Sequence, residues 1–163
     1  MSAMDQLGTI DGDGATRTAR FERVLPHPRE RVWEALTSSE ALERWFMSAS
    51  IEPRTGGEAR FDTGDGAATG TVTVWDPPRA LAYRWPFPDD GEAHVAWSLE
   101  PVDDGSATRL VLEHTELPAD WAAGYGSGWH AYLDRLAASL EGREPPEWSE
   151  RAAALRAAYD AVV

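Results

Sequence analysis

Four histidines are the first place to look for chemistry in this sequence, because imidazole titrates near neutral pH and binds metals. His27 sits between Pro26 and Pro28, His94 opens an alternating segment, and His130 follows Trp129 on a helical pattern. His114 differs from these. In Thr108–Glu116, Leu110, Leu112 and His114 alternate with Arg109, Val111 and Glu113. In a strand that parity puts His114 on the apolar face. There it would orient a bound molecule, serve as an acid or base, or rest as a satisfied histidine at the sheet's rim. No other residue stands out as catalytic. His130 is expected to turn off the apolar stripe of its helix.

No pair of histidines has the spacing of a zinc site and cysteine is absent, so no metal and no cofactor is expected. Asp89-Asp90 and Asp103-Asp104 read as solvated turn charges. Gly124, Gly126 and Gly128 lack a preceding strand and a following Lys-Ser/Thr pair, so they do not make a phosphate loop. They are expected to let the start of a long helix bend near the sheet, as a hinged lid.

The aromatic residues carry the stronger signal, with eight tryptophans in the chain. Trp45 and Phe46 come from a helical segment. Phe61, Tyr83, Trp85, Trp97, Leu99, Leu112 and His114 come from strands, and Trp129, Tyr132, Leu133 and Leu136 from the long helix. Converging, they would line a cavity for a small hydrophobic or aromatic molecule, with Tyr83 and His114 as polar anchors. The hollow is expected between Trp97 and Trp129.

The elements that must position these residues follow from periodicity. Trp129, Leu133, Leu136 and Leu140 recur at steps of 4, 3 and 4, which predicts a helix over about Ala122–Glu141, stopped at Gly142. Leu7–Ile10 and Thr16–Leu25 read as a hairpin around Asp11–Gly14. Pro26-His27-Pro28 breaks the strand, and two short helices follow over Arg29–Thr37 and Glu40–Phe46. Val32, Trp33 and Leu36 are the expected buried face of the first. About five strands come next, over 57–63, 69–75, 79–85, 93–100 and 108–116, joined by short turns that imply an antiparallel meander. After Glu144-Pro145-Pro146, residues 147–163 read as a last helix, with Leu155, Ala158, Tyr159 and Val162 at helical spacing, either docked on the domain or joining a partner chain.

The expected division is a disordered start over 1–6, a domain over 7–142 and a helical extension over 143–163. The length of 163 residues suits one domain. The net charge of -13 would repel nucleic-acid phosphates and anionic lipid heads, so nucleic acid is not an expected partner. No apolar run approaches the roughly 20 residues of a membrane span, so membrane insertion is not expected. The first residues show no basic stretch before an apolar one, and with no cysteine this fits a cytoplasmic protein.

Several segments together resemble one family. They are Phe21–Thr37, Leu42–Phe46, Gly70–Trp85, and Leu112–Pro118 with the Gly128-Trp129 helix. Taken as a set, they resemble the AHSA1-like family, named for the C-terminal domain of the activator of Hsp90 ATPase, within the START/Bet v 1-like (SRPBCC) superfamily. The resemblance runs from about Leu7 to Gly142. It implies an α+β helix-grip fold, a curved antiparallel sheet wrapped around a long C-terminal helix over a cavity. The function expected first is binding of a small hydrophobic or aromatic molecule. The alternatives are a protein-interaction module (a homodimer, a regulator's partner or a chaperone-linked Hsp90 ATPase activator-like protein) and a cyclase- or hydrolase-like enzyme using His114. The chain has no room for the separate N-terminal domain of the eukaryotic cochaperone, which counts against the Hsp90 role. An enzyme is the less expected outcome.

Overall fold

Alternation of apolar and polar side chains sets eight strands into one antiparallel sheet. The computed structural model describes residues 6–62, 64, 66–86 and 93–163. Asp89 and Asp90 lie outside them. In chain order the elements are β1 (Thr9–Asp11), β2 (Thr16–Leu25), α1 (Arg29–Thr37), α2 (Ser39–Trp45), β3 (Ser48–Ile51), β4 (Glu58–Asp62), β5 (Ala67–Asp76), β6 (Ala80–Arg84), β7 (His94–Val102), β8 (Ala107–Pro118), α3 (Ala122–Leu140) and α4 (Trp148–Asp160). The sheet order is β1-β2-β8-β7-β6-β5-β4-β3. Strands β3 to β8 form the expected meander, while the β1–β2 hairpin joins the sheet by pairing β2 with β8.

The sheet curves around α3 in the helix-grip manner. Its concave face carries Phe21, Phe61, Leu81, Tyr83, Val95, Trp97, Leu99, Leu110 and Leu112, all at most 3% exposed. α2 starts from Ser38, whose hydroxyl accepts from the Ala41 amide. Its last carbonyls, on Arg44 and Trp45, accept from the Arg135 guanidinium of α3. That clamp fixes where Trp45 and Phe46 enter the core.

Three expectations need correction. Six strands, not five, lie between α2 and α3. The extra one, β3, is a four-residue edge strand with only Ala49 buried, too short to show a period. In α1 the buried residues are Val32, Ala35 and Leu36, while Trp33 is only partly buried and packs against Trp75 with ring centroids 5.1 Å apart. Val162 is not on the buried line of α4; the helix ends at Asp160 and Val162 is 42% exposed.

α4 docks along α3, and this covers the face of α3 opposite the sheet. His130, off the apolar stripe as expected, is therefore fully buried rather than solvated. Its Nδ1 lies 2.7 Å from the Tyr159 hydroxyl of α4. That hydroxyl also accepts from the Gly8 amide at 2.9 Å. Asp134, one turn on, accepts from Arg151 of α4 at 2.7 Å. Burial places the Arg151–Asp134 pair and the Tyr159–His130 contact where water competes little, and they clip α4 in place.

Candidate functional site

The space expected between Trp97 and Trp129 is filled. The two rings meet edge to face with centroids 5.7 Å apart. Phe46 stacks on Trp129 at 5.6 Å and 12°, and meets Tyr132 at 4.7 Å. The physical reason lies in α2: one helix cannot fill a wide curled sheet, but α2 delivers Trp45 and Phe46 into the gap. Trp45, Phe46, Phe61, Tyr83, Trp97, Leu99, Leu112, Leu133 and Leu136 thus form one packed core, each at most 8% exposed. The Tyr83 hydroxyl accepts from the Trp97 indole at 3.1 Å, and burial raises its pKa well above the ordinary phenol value.

The hollow lies one layer further out. A cleft of about 620 Å³ opens between the N-terminal half of α3 and the start of α4. Trp85, Trp129 and Tyr132, three of the residues singled out from sequence, reach it. Gly124 and Gly128 of α3, read from sequence as a hinge, also line it, and the rest were not singled out: Met47 after α2, Asp120 and Trp121 in the turn before α3, Tyr125 on α3, and Trp148 and Arg156 on α4. Trp148 stacks on Tyr132 at 5.1 Å and 26°, and its indole donates to the Gly128 carbonyl at 3.0 Å. Trp121 is 47% exposed, a large apolar ring at the mouth.

The glycines explain why α4 sits there. A Cβ on Gly126 would stand 2.6 Å from Cδ1 of Tyr159. One on Gly128 would stand 3.3 Å from the Trp148 ring, and one on Gly124 3.4 Å from the Arg156 guanidinium. These positions seat α4 rather than bending α3 toward the sheet, and α3 runs unbroken through them. Small residues at i and i+4 on a helix are the sequence signal that would have located this contact.

His114 lies behind the cleft wall, deep in β8 and not at the rim. Its ring touches Trp85, Tyr125 and Trp129, with centroids 5.7, 4.9 and 6.0 Å away. All three line the cleft. The Trp129 indole donates to His114 Nδ1 at 2.8 Å. An indole N–H only donates, so Nδ1 carries the lone pair and Nε2 the proton. Burial drives the His114 pKa down to about 3, reinforced by the charge of His94 nearby, so the ring is neutral near pH 7. With Nδ1 engaged and Nε2 protonated, His114 has no lone pair free to act as a base. Nε2 itself has no hydrogen-bond partner among the described residues.

Among the described residues no three of His, Asp and Glu converge to hold a metal ion. His94 Nε2 instead meets the Thr73 hydroxyl at 2.7 Å on the outer face of the sheet. No helix among the described residues is long and apolar enough to cross a membrane.

Residues 26–141 match the family described as Activator of Hsp90 ATPase homolog 1-like protein. The chain belongs to this family. It is 29% identical over 113 residues to the activator of 90 kDa heat shock protein ATPase homolog 1 of Mus musculus, covering 68% of this chain and 32% of that protein. The chain therefore spans about a third of that relative's length. Among solved structures, CalU16 from Micromonospora echinospora superposes with a TM-score of 0.76 at 24% identity, over 95% of this chain and 94% of that one. DynU16, from the dynemicin biosynthetic locus, gives a TM-score of 0.70 at 30% identity, over 80% of this chain and 49% of that one. The AHSA1-like match ends at residue 141, before α4 begins, so two of the cleft's walls, Trp148 and Arg156, come from outside it.

Proposed function

We propose that this AHSA1-like protein binds a flat, apolar small molecule in the cleft between α3 and α4. The observation that carries this reading is the cleft itself. At about 620 Å³ it falls in the size range of small-molecule sites, and Trp85, Trp121, Tyr125, Trp129, Tyr132 and Trp148 give it aromatic walls. Asp120 and Arg156 stand among those walls as the charged groups. Two large rings, Trp121 and Trp148, remain more than a third exposed there, a state that a bound guest would relieve. His114 supplies no base to this guest, because its Nδ1 lone pair is taken by the Trp129 indole.

The test is a titration with 2-isopropenylnaphthalene, followed by tryptophan fluorescence and by calorimetry. Saturable one-to-one binding that Trp148→Ala weakens about tenfold is the expected result. Absence of saturable binding overturns the reading.

A further inference from the structure

The cleft reading leaves one buried polar atom unused. Nε2 of His114 carries a proton, is buried and has no partner among the described residues. A buried donor left unpaired is costly, and native folds keep few of them. Two other residues with unpartnered buried atoms, Arg23 and Asp134, carry opposite charges that attract one another. His114 has instead three aromatic rings around it, each of them a wall of the cleft.

One of those rings is less buried than the other two. Tyr125 is the nearest to His114, at 4.9 Å, and is only partly buried. Its hydroxyl accepts a 3.1 Å hydrogen bond from the Trp85 indole. Trp129 is more deeply held: its indole is bonded to His114 and its ring is stacked on Phe46.

Resting on the cleft reading, we propose that the guest is an aromatic molecule bearing a carbonyl oxygen, and that this oxygen accepts the Nε2 proton of His114 once the Tyr125 ring turns outward. The Trp129 indole is then a positioning group. By occupying Nδ1 it fixes the tautomer in which Nε2 is a donor, not an acceptor. A group that can only donate, such as an ammonium, would find no partner there. A carbonyl would find one that is desolvated and preoriented.

The experiment compares 2-acetylnaphthalene with 2-isopropenylnaphthalene, which has nearly the same shape but no oxygen. In the wild-type chain the ketone is expected to bind about tenfold tighter by calorimetry. His114→Asn keeps an acceptor for the Trp129 indole but removes the Nε2 donor, and is expected to abolish that preference. His114→Gln places an amide N–H near the Nε2 position and is expected to restore part of it. As a check that needs no variant, the ¹⁵N signal of His114 Nε2 in the wild-type chain should shift with the ketone and not with the hydrocarbon. If both probes bind equally, or His114→Asn keeps the preference, or the Nε2 signal is unmoved by the ketone, the inference is overturned while the cleft reading stands. If neither probe binds, both fall.

Discussion

Gly126 of α3 and Tyr159 of α4 are so close that a single added methyl carbon would stand 2.6 Å from the tyrosine ring. No flexible chain end absorbs the clash, because Tyr159 is fully buried and its hydroxyl is held by the Gly8 amide. Alanine favours a helix over glycine by about 1 kcal/mol. Overpacking of a fixed ring costs roughly 1–3 kcal/mol and should win. Gly126→Ala is therefore expected to lower stability by up to about 2 kcal/mol, read as a lower thermal midpoint. A neutral or stabilising effect would show that α4 is not seated as described.

Trp148 tests the same contact from the side of function. Truncation to alanine removes a ring that stacks on Tyr132 and leaves the Gly128 carbonyl without its donor. With Trp148 38% exposed, the stability loss should be modest, about 1–2 kcal/mol. The probe affinity should fall about tenfold. A large unfolding effect with unchanged affinity of the folded fraction would contradict a role as cleft wall.

Phe46 makes the opposite prediction. It sits among Trp45, Phe61, Trp85, Trp129 and Tyr132 and does not reach the cleft. Phe46→Ala should cost about 3–5 kcal/mol, measured by urea denaturation. It should also open a void beside Trp129 and Tyr132, the rings on which Phe46 packs. Xenon or a small aromatic compound should then bind inside the core of the variant and not of the wild type.

His114 gives the fold a pH dependence with a definite sign. Its folded pKa of about 3 lies below the ordinary 6.5, so the unfolded chain binds the extra proton between those values. Stability present above about pH 6.5 is lost as the pH falls toward 3, at roughly 1.4 kcal/mol per pH unit for one proton. His27 and His94 are lowered in the same direction, chiefly by burial, and add to the slope. Thermal midpoints measured from pH 7 to pH 4 should fall, and His114→Asn should flatten the fall. An identical slope in the variant would place the titration elsewhere.

Much of this fold was legible because the sheet's inner face is written with a period of two. The parity that grouped His114 with Leu110 and Leu112 is the parity the strand shows, and the spacing of Trp129, Leu133 and Leu136 gave the helix that lies on them. The candidate site was less legible for a physical reason. Periodicity tells which face of an element is buried, not which neighbour buries it. His130 looked peripheral because its helix has one strongly apolar stripe, yet α4 covers the other side with Tyr159 and Arg151. Trp97 and Trp129 looked like two walls because nothing in their own elements shows that Phe46 arrives from α2 to close the space. The glycines at 124, 126 and 128 held the missing information, as the imprint of a helix packed too near to allow side chains.

The hydrogen bond from the Gly8 amide to the Tyr159 hydroxyl spans 151 positions in the chain but only 2.9 Å in space. The residue just before the first strand and the end of the last helix thus meet in one buried contact. A circular permutant that joins them through a short linker, and opens new termini at the Asp103–Gly105 turn, would leave every strand pairing and the clasp between α3 and α4 intact. A reporter domain spliced at that junction would ride against α4, which supplies Trp148 and Arg156 to the cleft.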